Sequence, residues 1–402
     1  MAAVLGTAAV TGCTALLGSF DASGGAGGGP VLPDGESPDG AIGTGSDGSS
    51  LDGSVDATKP VVCKDPEVAC NNVCARLGTS GDHCGKCGHS CGGGMCTGGV
   101  CAPVQLYSGA GVVGAIAVSD ADLFFATDDM KLSSCPKSGC KLAPKQIAVM
   151  GYSINTVAVV QKATVVFESA PTQSTQRPAL YACPVSGCPS PPVSFTADGL
   201  NGFDQQLSVF GDRVFFNTGG FGLGWSTCQA GTCTAANRYG GTTKGVHAFS
   251  AAATRSYFVD SATRLSPIAS CDHKDTACVP TPLLVGDNAD VPATAVEGTR
   301  LFWLKPGRLD FNEGKLLSCD IPTCVPPAKV SAVGLDSPTE LLVDASGAYW
   351  LTKGSKLQRC LPNGCVGGPT DFAGPLDVPH SIVADDAFVY WAEKTSVWRR
   401  AK

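Results

Sequence analysis

Cysteine is the residue type whose number and spacing could carry the most chemistry in this chain. There are 21 cysteines among 402 residues, and so high a count indicates disulfide bonds in an oxidising, exported location. Five pairs are separated by four residues that include turn formers: Cys135–Cys140, Cys183–Cys188, Cys228–Cys233, Cys319–Cys324 and Cys360–Cys365. A sixth pair, Cys271–Cys278, encloses six residues. We expect each pair to flank a hairpin tip, because opposed residues on antiparallel strands lie about 4.5–5.5 Å apart, within reach of a disulfide.

Eight further cysteines lie in residues 61–101, a stretch with almost no large apolar side chain. They are Cys63, Cys70, Cys74, Cys84, Cys87, Cys91, Cys96 and Cys101. Covalent bridges must replace a core in so small a module, so we expect four disulfides, whose pairing the sequence leaves open. Zinc is the alternative, because Cys84 and Cys87 have ligand spacing with His83 and His89 nearby. The even number of cysteines favours disulfides, and we expect neither a metal nor another cofactor.

The elements that would position these residues recur seven times after Val104. Each copy carries an apolar doublet: Phe124-Phe125, Val166-Phe167, Phe215-Phe216, Tyr257-Phe258, Phe302-Trp303, Tyr349-Trp350 and Tyr390-Trp391. Successive doublets lie 42, 49, 42, 45, 47 and 41 residues apart, and apolar residues alternate with polar ones around tight turns. This pattern predicts consecutive antiparallel strands in blades. We therefore predict an all-β chain in which residues 102–402 form a seven-bladed β-propeller.

The two ends of the repeat region predict how the ring closes. The last copy stops at its third strand, while residues 104–107 resemble the outer strand that follows each cysteine pair. We expect this N-terminal strand to lie beside residues 397–399 and to complete the last blade. Joining the ends in this way removes an exposed strand edge.

Ligands of propellers bind at the mouth of the central channel, near the start of each innermost strand. Ten residues before each doublet, this level contains Gly114, Thr156, Gln205, His247, Pro292, Thr339 and His380. His247 and His380 could therefore face the channel from opposite sides as metal ligands or bases, with Glu340 beside Thr339. The alternative is that both imidazoles cap strand ends by hydrogen bonding. We expect the aromatic doublets to pack between blades.

The Asp-rich turns that precede Tyr-Trp or Phe-Trp strands resemble those of the streptogramin-lyase and NHL-like propellers. The streptogramin-lyase group implies histidines and glutamates that hold a divalent metal, but no glutamate pair here repeats that site. The sequence also lacks the nucleophile elbow, the phosphate loop and the dinucleotide fingerprint. We expect non-catalytic binding of a protein or glycan. A metal-assisted lyase or hydrolase that uses His247 and His380 is the alternative.

The start of the chain predicts export and attachment to a membrane. Residues 1–12 are small and apolar, and the sequence VTGC that ends at Cys13 resembles the lipobox of bacterial lipoproteins. That resemblance implies a lipid on Cys13 and, because Thr14 follows, an outer-membrane or cell-surface location. An ordinary cleaved signal is the alternative, since no Lys or Arg precedes the apolar run. Residues 13–60 are rich in Gly, Ser and Asp, which predicts a disordered tether.

Charge excludes one class of partner. The net charge is −7, and residues 1–60 hold seven acids against one lysine, so the rest of the chain is nearly neutral. A body without a basic stripe lacks the electrostatic footprint that a phosphate backbone requires. We therefore expect no nucleic-acid partner, and we favour a monomer.

Overall fold

The structure is a computed structural model that describes most of the chain after residue 60. It describes residues 61–402 except 142, 171–177, 197–205, 218–222, 236, 239–245, 261–267, 275–279, 285–290, 308–312, 354, 363 and 366. The predicted signal, Cys13 and the tether lie outside the described residues, as do Gln205 and Cys278. Among the described residues, no helix has the length and apolarity needed to cross a bilayer.

Residues 61–101 form a small module of two short hairpins. Strand β1 (Val68–Cys70) pairs with β2 (Val73–Ala75), and β3 (Cys96–Thr97) pairs with β4 (Val100–Cys101). Four disulfides join Cys63 to Cys74, Cys70 to Cys87, Cys84 to Cys96 and Cys91 to Cys101. The bridges span the whole module, which has few apolar side chains of its own.

The rest of the described chain forms seven antiparallel sheets, one for each copy of the repeat, as predicted. The strand that the last blade borrows comes first in the chain and is β5 (Val104–Ser108). Blade one contains β6 (Val113–Val118), β7 (Asp122–Thr127), β8 (Lys131–Pro136) and β9 (Lys145–Val149). Blade two contains β10 (Ser153–Val160), β11 (Thr164–Ala170), β12 (Ala179–Pro184) and β13 (Val193–Ser194). Blade three contains β14 (Leu207–Phe210), β15 (Arg213–Asn217), β16 (Leu223–Gln229), β17 (Thr232–Cys233) and β18 (Asn237–Arg238).

The remaining blades repeat this order. Blade four contains β19 (Val246–Ala251), β20 (Arg255–Asp260), β21 (Ile268–Asp272) and β22 (Thr281–Leu284). Blade five contains β23 (Thr294–Glu297), β24 (Arg300–Lys305), β25 (Gly314–Asp320) and β26 (Lys329–Leu335). Blade six contains β27 (Pro338–Asp344), β28 (Gly347–Thr352), β29 (Lys356–Cys360) and β30 (Thr370–Ala373). Blade seven contains β31 (His380–Ala384), β32 (Phe388–Glu393), β33 (Ser396–Ala401) and, at its outer edge, β5.

The ring closes by strand exchange between the two ends of the repeat region. Strand β33 pairs with β5 so that Val397 lies opposite Tyr107 and Arg399 opposite Val104. The predicted closure is therefore confirmed. The last blade gains its fourth strand from residues that precede the first blade, so no repeat is left with an open third strand.

The aromatic doublets hold neighbouring blades together, because adjacent residues of a strand point to opposite faces of the sheet. In blade three, Phe215 packs towards blade four against Phe258, while Phe216 packs towards blade two against Val166. The same division holds around the ring, with one apolar cluster at each of the seven blade interfaces. Burial of one such ring contributes roughly 1.5–3 kcal/mol, so these seams dominate the core.

The hairpin disulfides differ from the prediction in where the second cysteine lies. Cys135 is in β8, but Cys140 precedes β9 and its N–H donates to the carbonyl oxygen of Leu106 in the neighbouring blade. Of the described pairs, Cys228 and Cys233 alone face each other in a ladder. The N–H of Cys140 is thus used between blades and not in its own ladder, whereas Cys324 donates to Asp320 within its own blade.

The same contact recurs at other hairpins. Cys188 donates to the carbonyl of Ile147 at 3.3 Å, and Cys365 donates to that of Ser331 at 3.2 Å. Leu106, Ile147 and Ser331 are each the extra residue of a bulge in the outermost strand of the preceding blade. We call this arrangement the hairpin clasp. The disulfide hairpins of blades one, two and six therefore fasten each of these blades to the one before it, in addition to pinning strand edges.

Candidate functional site

The channel-mouth face, where the innermost strands begin, contains a polar cavity of about 310 Å³. Every blade contributes to its lining, with one residue from each in the set Gly114, Thr156, Gln206, Phe249, Pro292, Thr339 and Ser381. Four of these, Gly114, Thr156, Pro292 and Thr339, are positions that counting ten residues back from each doublet assigned to this level. Blade seven contributes Ser381 instead of the adjacent His380, and Gln206 is the described neighbour of Gln205.

Bulges in the innermost strands explain how the cavity is built. A bulge frees backbone N–H groups from the ladder, and a polar side chain of the preceding blade accepts their hydrogen bonds. In blade seven the N–H groups of Ser381 and Ile382 donate to Glu340 of blade six at 2.7 and 3.0 Å. The Ser381 hydroxyl in turn accepts a hydrogen bond from Ile116 of blade one at 3.2 Å. The polar residues of the mouth thus connect three consecutive blades.

The same kind of hydrogen bond joins blade four to blade three. The N–H of Phe249, which lies within the bulge of β19, donates to Gln206 of blade three at 3.3 Å. Ser208, also in blade three, accepts a hydrogen bond from Ala251 at 3.0 Å. These side chains are partly committed to the scaffold before any ligand arrives.

Among the described lining residues, Glu340 is the one with a charged side chain. Burial raises the pKa of its carboxyl, while the N–H donors of Ser381 and Ile382 and the nearby His380 act in the opposite direction. The side chain is partly exposed to the cavity although protein surrounds it. A carboxylate has about four lone-pair sites, so two remain available to a ligand after the two backbone N–H groups have bound.

The structure gives different outcomes for the two predicted channel histidines. The Nδ1 of His380 lies 3.0 Å from the carbonyl oxygen of Val378, and its Nε2 contacts the carbonyl oxygen of Val113 in blade one. Both ring nitrogens therefore face the backbone, which is the strand-end role that the sequence left as the alternative. For His247 only the backbone is described, paired with Val259, and its side chain lies outside the described residues.

The cysteines that suggested zinc are held in disulfides in the module. Cys84 and Cys87 belong to different disulfides, and a sulfur held in a disulfide is not the thiolate that zinc binds. Cys84, Cys91 and Cys101 do bring their sulfur atoms within 4.8 Å of one another, but all three are bridged. The nine disulfides of the described residues indicate an extracytoplasmic protein.

The module packs against the propeller on the hairpin face, the face that carries the disulfide hairpins. Phe388 of blade seven packs against a buried cluster formed by Ala401 and the module's Cys84, Cys91, Cys96 and Cys101. Arg399 lies over the Phe388 ring at 4.6 Å and donates to the carbonyl oxygens of Gly92 in the module and Lys137 in blade one. One guanidinium thus joins the module to the seam where the ring closes.

Sequence reasoning missed Arg399 and the bulge carbonyls of the hairpin clasp. Arg399 belongs to a strand that was correctly predicted, but its partners are about 260 and 300 residues away and are backbone atoms. A signal was available in VWRRAK, because two adjacent arginines at the end of a strand are costly to bury unless both find acceptors. The carbonyl groups of the hairpin clasp belong to the main chain, so the sequence contains no comparable signal for them.

Comparisons with known proteins establish the fold alone. No protein-family model matches the chain, and no curated protein sequence matches it. The computationally designed Ika8 protein matches with a TM-score of 0.50 and 10% identity, over 74% of this chain and 98% of that one. PorZ, a bacterial surface component of the type-IX secretion system of Porphyromonas gingivalis, matches with a TM-score of 0.52 and 14% identity over 73% of this chain. The match covers 37% of PorZ, so this chain corresponds to part of that protein.

Proposed function

We propose that this protein is a lipid-anchored platform of the cell envelope that binds a protein or glycan ligand at the channel mouth without transforming it. Attachment through a lipid on Cys13 and an outer-membrane or cell-surface location belong to this proposal. The disulfide content supports the exported location. PorZ, which shares the fold, is described as an essential surface component of a secretion system, which is compatible with an interaction role.

The observation that carries the proposal is the commitment of Glu340 and His380, the titratable side chains described at the channel mouth, to backbone partners. Glu340 accepts two backbone hydrogen bonds, and both ring nitrogens of His380 face carbonyl oxygens. General acid–base catalysis needs such groups free to exchange a proton with the substrate. Groups held by the scaffold instead form a rigid polar surface, which favours binding.

The lining of the cavity suits a ligand rich in hydroxyl or amide groups. Thr156, Thr339 and Gln206 provide hydroxyl and amide groups, and Glu340 retains unused lone pairs. Most of the accessible surface of the cavity is polar although apolar residues such as Phe249 also line it, so a purely hydrophobic ligand would leave the polar groups without partners at a cost of roughly 1–3 kcal/mol each.

The docked module supports a presenting role. It contacts the propeller on the hairpin face through Phe388 and Arg399, so the channel mouth on the opposite face stays clear of it. A rigid joint of this kind lets the module and the propeller act as one body.

The test is a binding screen with the purified full chain on glycan and peptide arrays. We expect a saturable ligand whose binding is lost in Thr339→Trp, because the indole would fill the cavity. The matched control is Val149→Trp on an exposed outer strand, which should leave binding unchanged. A saturable ligand whose binding is unchanged in Thr339→Trp would show that its site lies elsewhere on the chain. The lack of any saturable ligand would favour a purely structural role.

A further inference from the structure

The acid at the channel mouth has no cation among its described hydrogen-bond partners. The hydrogen bonds described for Glu340 come from the backbone N–H groups of Ser381 and Ile382. The nearby His380 turns both ring nitrogens to carbonyl oxygens, so its described hydrogen bonds do not reach the carboxylate. Burial raises the pKa of Glu340, because the loss of surrounding water disfavours its charge. A ligand that brings a positive charge into the cavity would offset this cost.

The two backbone donors leave the carboxylate oriented and still able to accept. Oε1 of Glu340 binds the N–H of Ser381 at 2.7 Å, and Oε2 binds that of Ile382 at 3.0 Å. Each oxygen therefore keeps about one further lone pair for a ligand. An ammonium group has three donors and no acceptor, and its hydrogen bonds to a carboxylate are roughly twice as strong as those between neutral groups. The carboxylate therefore favours an ammonium over a hydroxyl.

Hydroxyl groups lie beside this carboxylate. A bulge breaks the alternation of β27, and Thr339 and Glu340 both line the cavity although they are neighbours in the chain. The Thr339 hydroxyl has only a long contact, of 3.5 Å, with the carbonyl oxygen of Leu351. The Ser381 hydroxyl accepts from the N–H of Ile116 and keeps its own proton to donate. A ligand that places an ammonium on Glu340 therefore meets hydroxyls next to it.

Blades two and three add polar groups to the same cavity. The Thr156 hydroxyl lines it and has no hydrogen-bond partner within the described part of the chain. The side-chain oxygen of Gln206 accepts from the N–H of Phe249, which leaves the two N–H donors of its amide for a ligand. Groups that bind hydroxyls thus reach the cavity from several blades.

These surroundings distinguish an amino sugar from a lysine side chain, although both carry a primary ammonium. The methylene stem of lysine would leave the hydroxyl and amide groups of the lining without partners. A sugar ring carries hydroxyls around its rim and apolar C–H groups on its faces, and Phe249 and Pro292 add apolar surface to the polar lining. The cavity of about 310 Å³ is at the small end of the usual range for ligand sites, about 300–1,000 Å³, which suits a single ring.

We propose that the channel-mouth cavity binds a glycan through an amino sugar whose free ammonium donates to Glu340 while its neighbouring hydroxyls pair with Thr339 and Ser381. This proposal rests on the platform function and names the ligand class of the same site. The association is non-covalent and leaves the sugar intact.

The probe is the glucosamine trimer, titrated into the purified full chain by calorimetry at about pH 6, where its amines are protonated. The N-acetylglucosamine trimer and the glucose trimer of the same linkage share its ring scaffold but lack the ammonium. We expect saturable binding of the glucosamine trimer and at least about tenfold weaker binding of the other two, because loss of a charged hydrogen bond costs about that factor.

Two variants place this binding at the proposed site. Glu340→Gln should weaken binding of the glucosamine trimer at least about tenfold. The matched control is Glu297→Gln, which makes the same change at the other end of an innermost strand, on the hairpin face. If Glu340→Gln melts at a lower temperature, Thr339→Val repeats the test and should weaken binding about threefold through loss of one neutral hydrogen bond. Its control is Thr281→Val on the outer strand of blade four.

Four outcomes would overturn the proposal. They are no saturable binding of the glucosamine trimer, equal affinity for either neutral trimer, unchanged affinity in both Glu340→Gln and Thr339→Val, and binding of trilysine as tight as that of the glucosamine trimer. The last result would indicate an ammonium site for peptides. If a ligand from the arrays still binds and is lost in Thr339→Trp, this inference fails while the platform function stands.

Discussion

The N–H of Cys140 in blade one donates a hydrogen bond of 2.8 Å to the carbonyl oxygen of Leu106 in the outer strand of blade seven. This contact closes the ring a second time, beside the strand pairing between β33 and β5. Blade seven itself has no disulfide hairpin, and there Arg400 donates to the carbonyl of Phe372, the bulge residue of blade six. The Arg400 side chain thus makes the contact between blades that a cysteine N–H makes in blades one, two and six.

Removal of the Cys135–Cys140 bridge should loosen the neighbouring blade. The chain-entropy estimate for so short a loop is about 2 kcal/mol, and loss of the clasp adds to it. In Cys135→Ala/Cys140→Ala we expect a lower unfolding free energy in urea and faster amide exchange in β5, which belongs to blade seven.

The matched control for this variant is Cys319→Ala/Cys324→Ala. Cys324 donates to Asp320 within its own blade, so its loss should not speed exchange in β22 of blade four. If β5 kept its protection without the Cys135–Cys140 bridge, the clasp would not be a fastening between blades.

Arg399→Ala should detach the module from the propeller. The change removes two charged hydrogen bonds to the carbonyls of Gly92 and Lys137, worth roughly 1.5–3 kcal/mol each. We expect faster amide exchange around Gly92 and easier proteolysis between the module and β5, with the disulfides intact. Arg359→Ala is the control, since that guanidinium lies over Phe372 away from the module. Equal protection of Gly92 in both variants would contradict the joint.

Asp385 links the last blade to the first. It accepts hydrogen bonds from Lys137 of blade one at 2.6 Å and from the Tyr390 hydroxyl at 2.8 Å. Burial acts to raise the pKa of Asp385, but these donors and two backbone N–H groups hold it below the usual 3.8. Asp385→Asn should cost roughly 1–3 kcal/mol at neutral pH, whereas the exposed neighbour Asp386→Asn should cost little.

The pH dependence of this loss of stability follows from the direction of the pKa shift of Asp385. A carboxyl whose pKa is lower in the folded protein than in the unfolded chain stabilises the fold at pH values above its unfolded pKa. That contribution is lost as the pH falls through the folded pKa. The gap in urea midpoint between the parent and Asp385→Asn should therefore shrink below about pH 4. A gap that widened on acidification would refute the pairing.

Glu340 should show the opposite dependence. Burial raises its pKa above the usual 4.5, so its contribution to stability is complete below that value and is lost as the pH rises through the folded pKa. The stability of the parent relative to Glu340→Gln should therefore decrease as the pH rises above about 4.5, as measured by urea unfolding. A difference that grew with pH would mean that the backbone N–H groups outweigh burial.

The propeller was predictable because its signals are local and repeated. The doublets mark the second strand of every blade, and the resemblance of residues 104–107 to the outer strand that follows each cysteine pair revealed the borrowed strand. The clasp was not predictable, since it uses main-chain atoms of Leu106, Ile147 and Ser331, whose side chains carry no mark of that role. Counting back from the doublets located the cavity but missed by one residue in blade seven, because the bulge in β31 lies one residue pair closer to its doublet than the bulge in β6 does.

The central claim is that the channel mouth binds without chemistry. The most direct measurement is the mass balance of the first ligand from the arrays, followed by mass spectrometry during long incubation with the purified full chain. We predict that the ligand is recovered unchanged and that its Kd is the same with and without a chelator. Conversion of the ligand that stops on chelation and in His380→Ala would contradict the account.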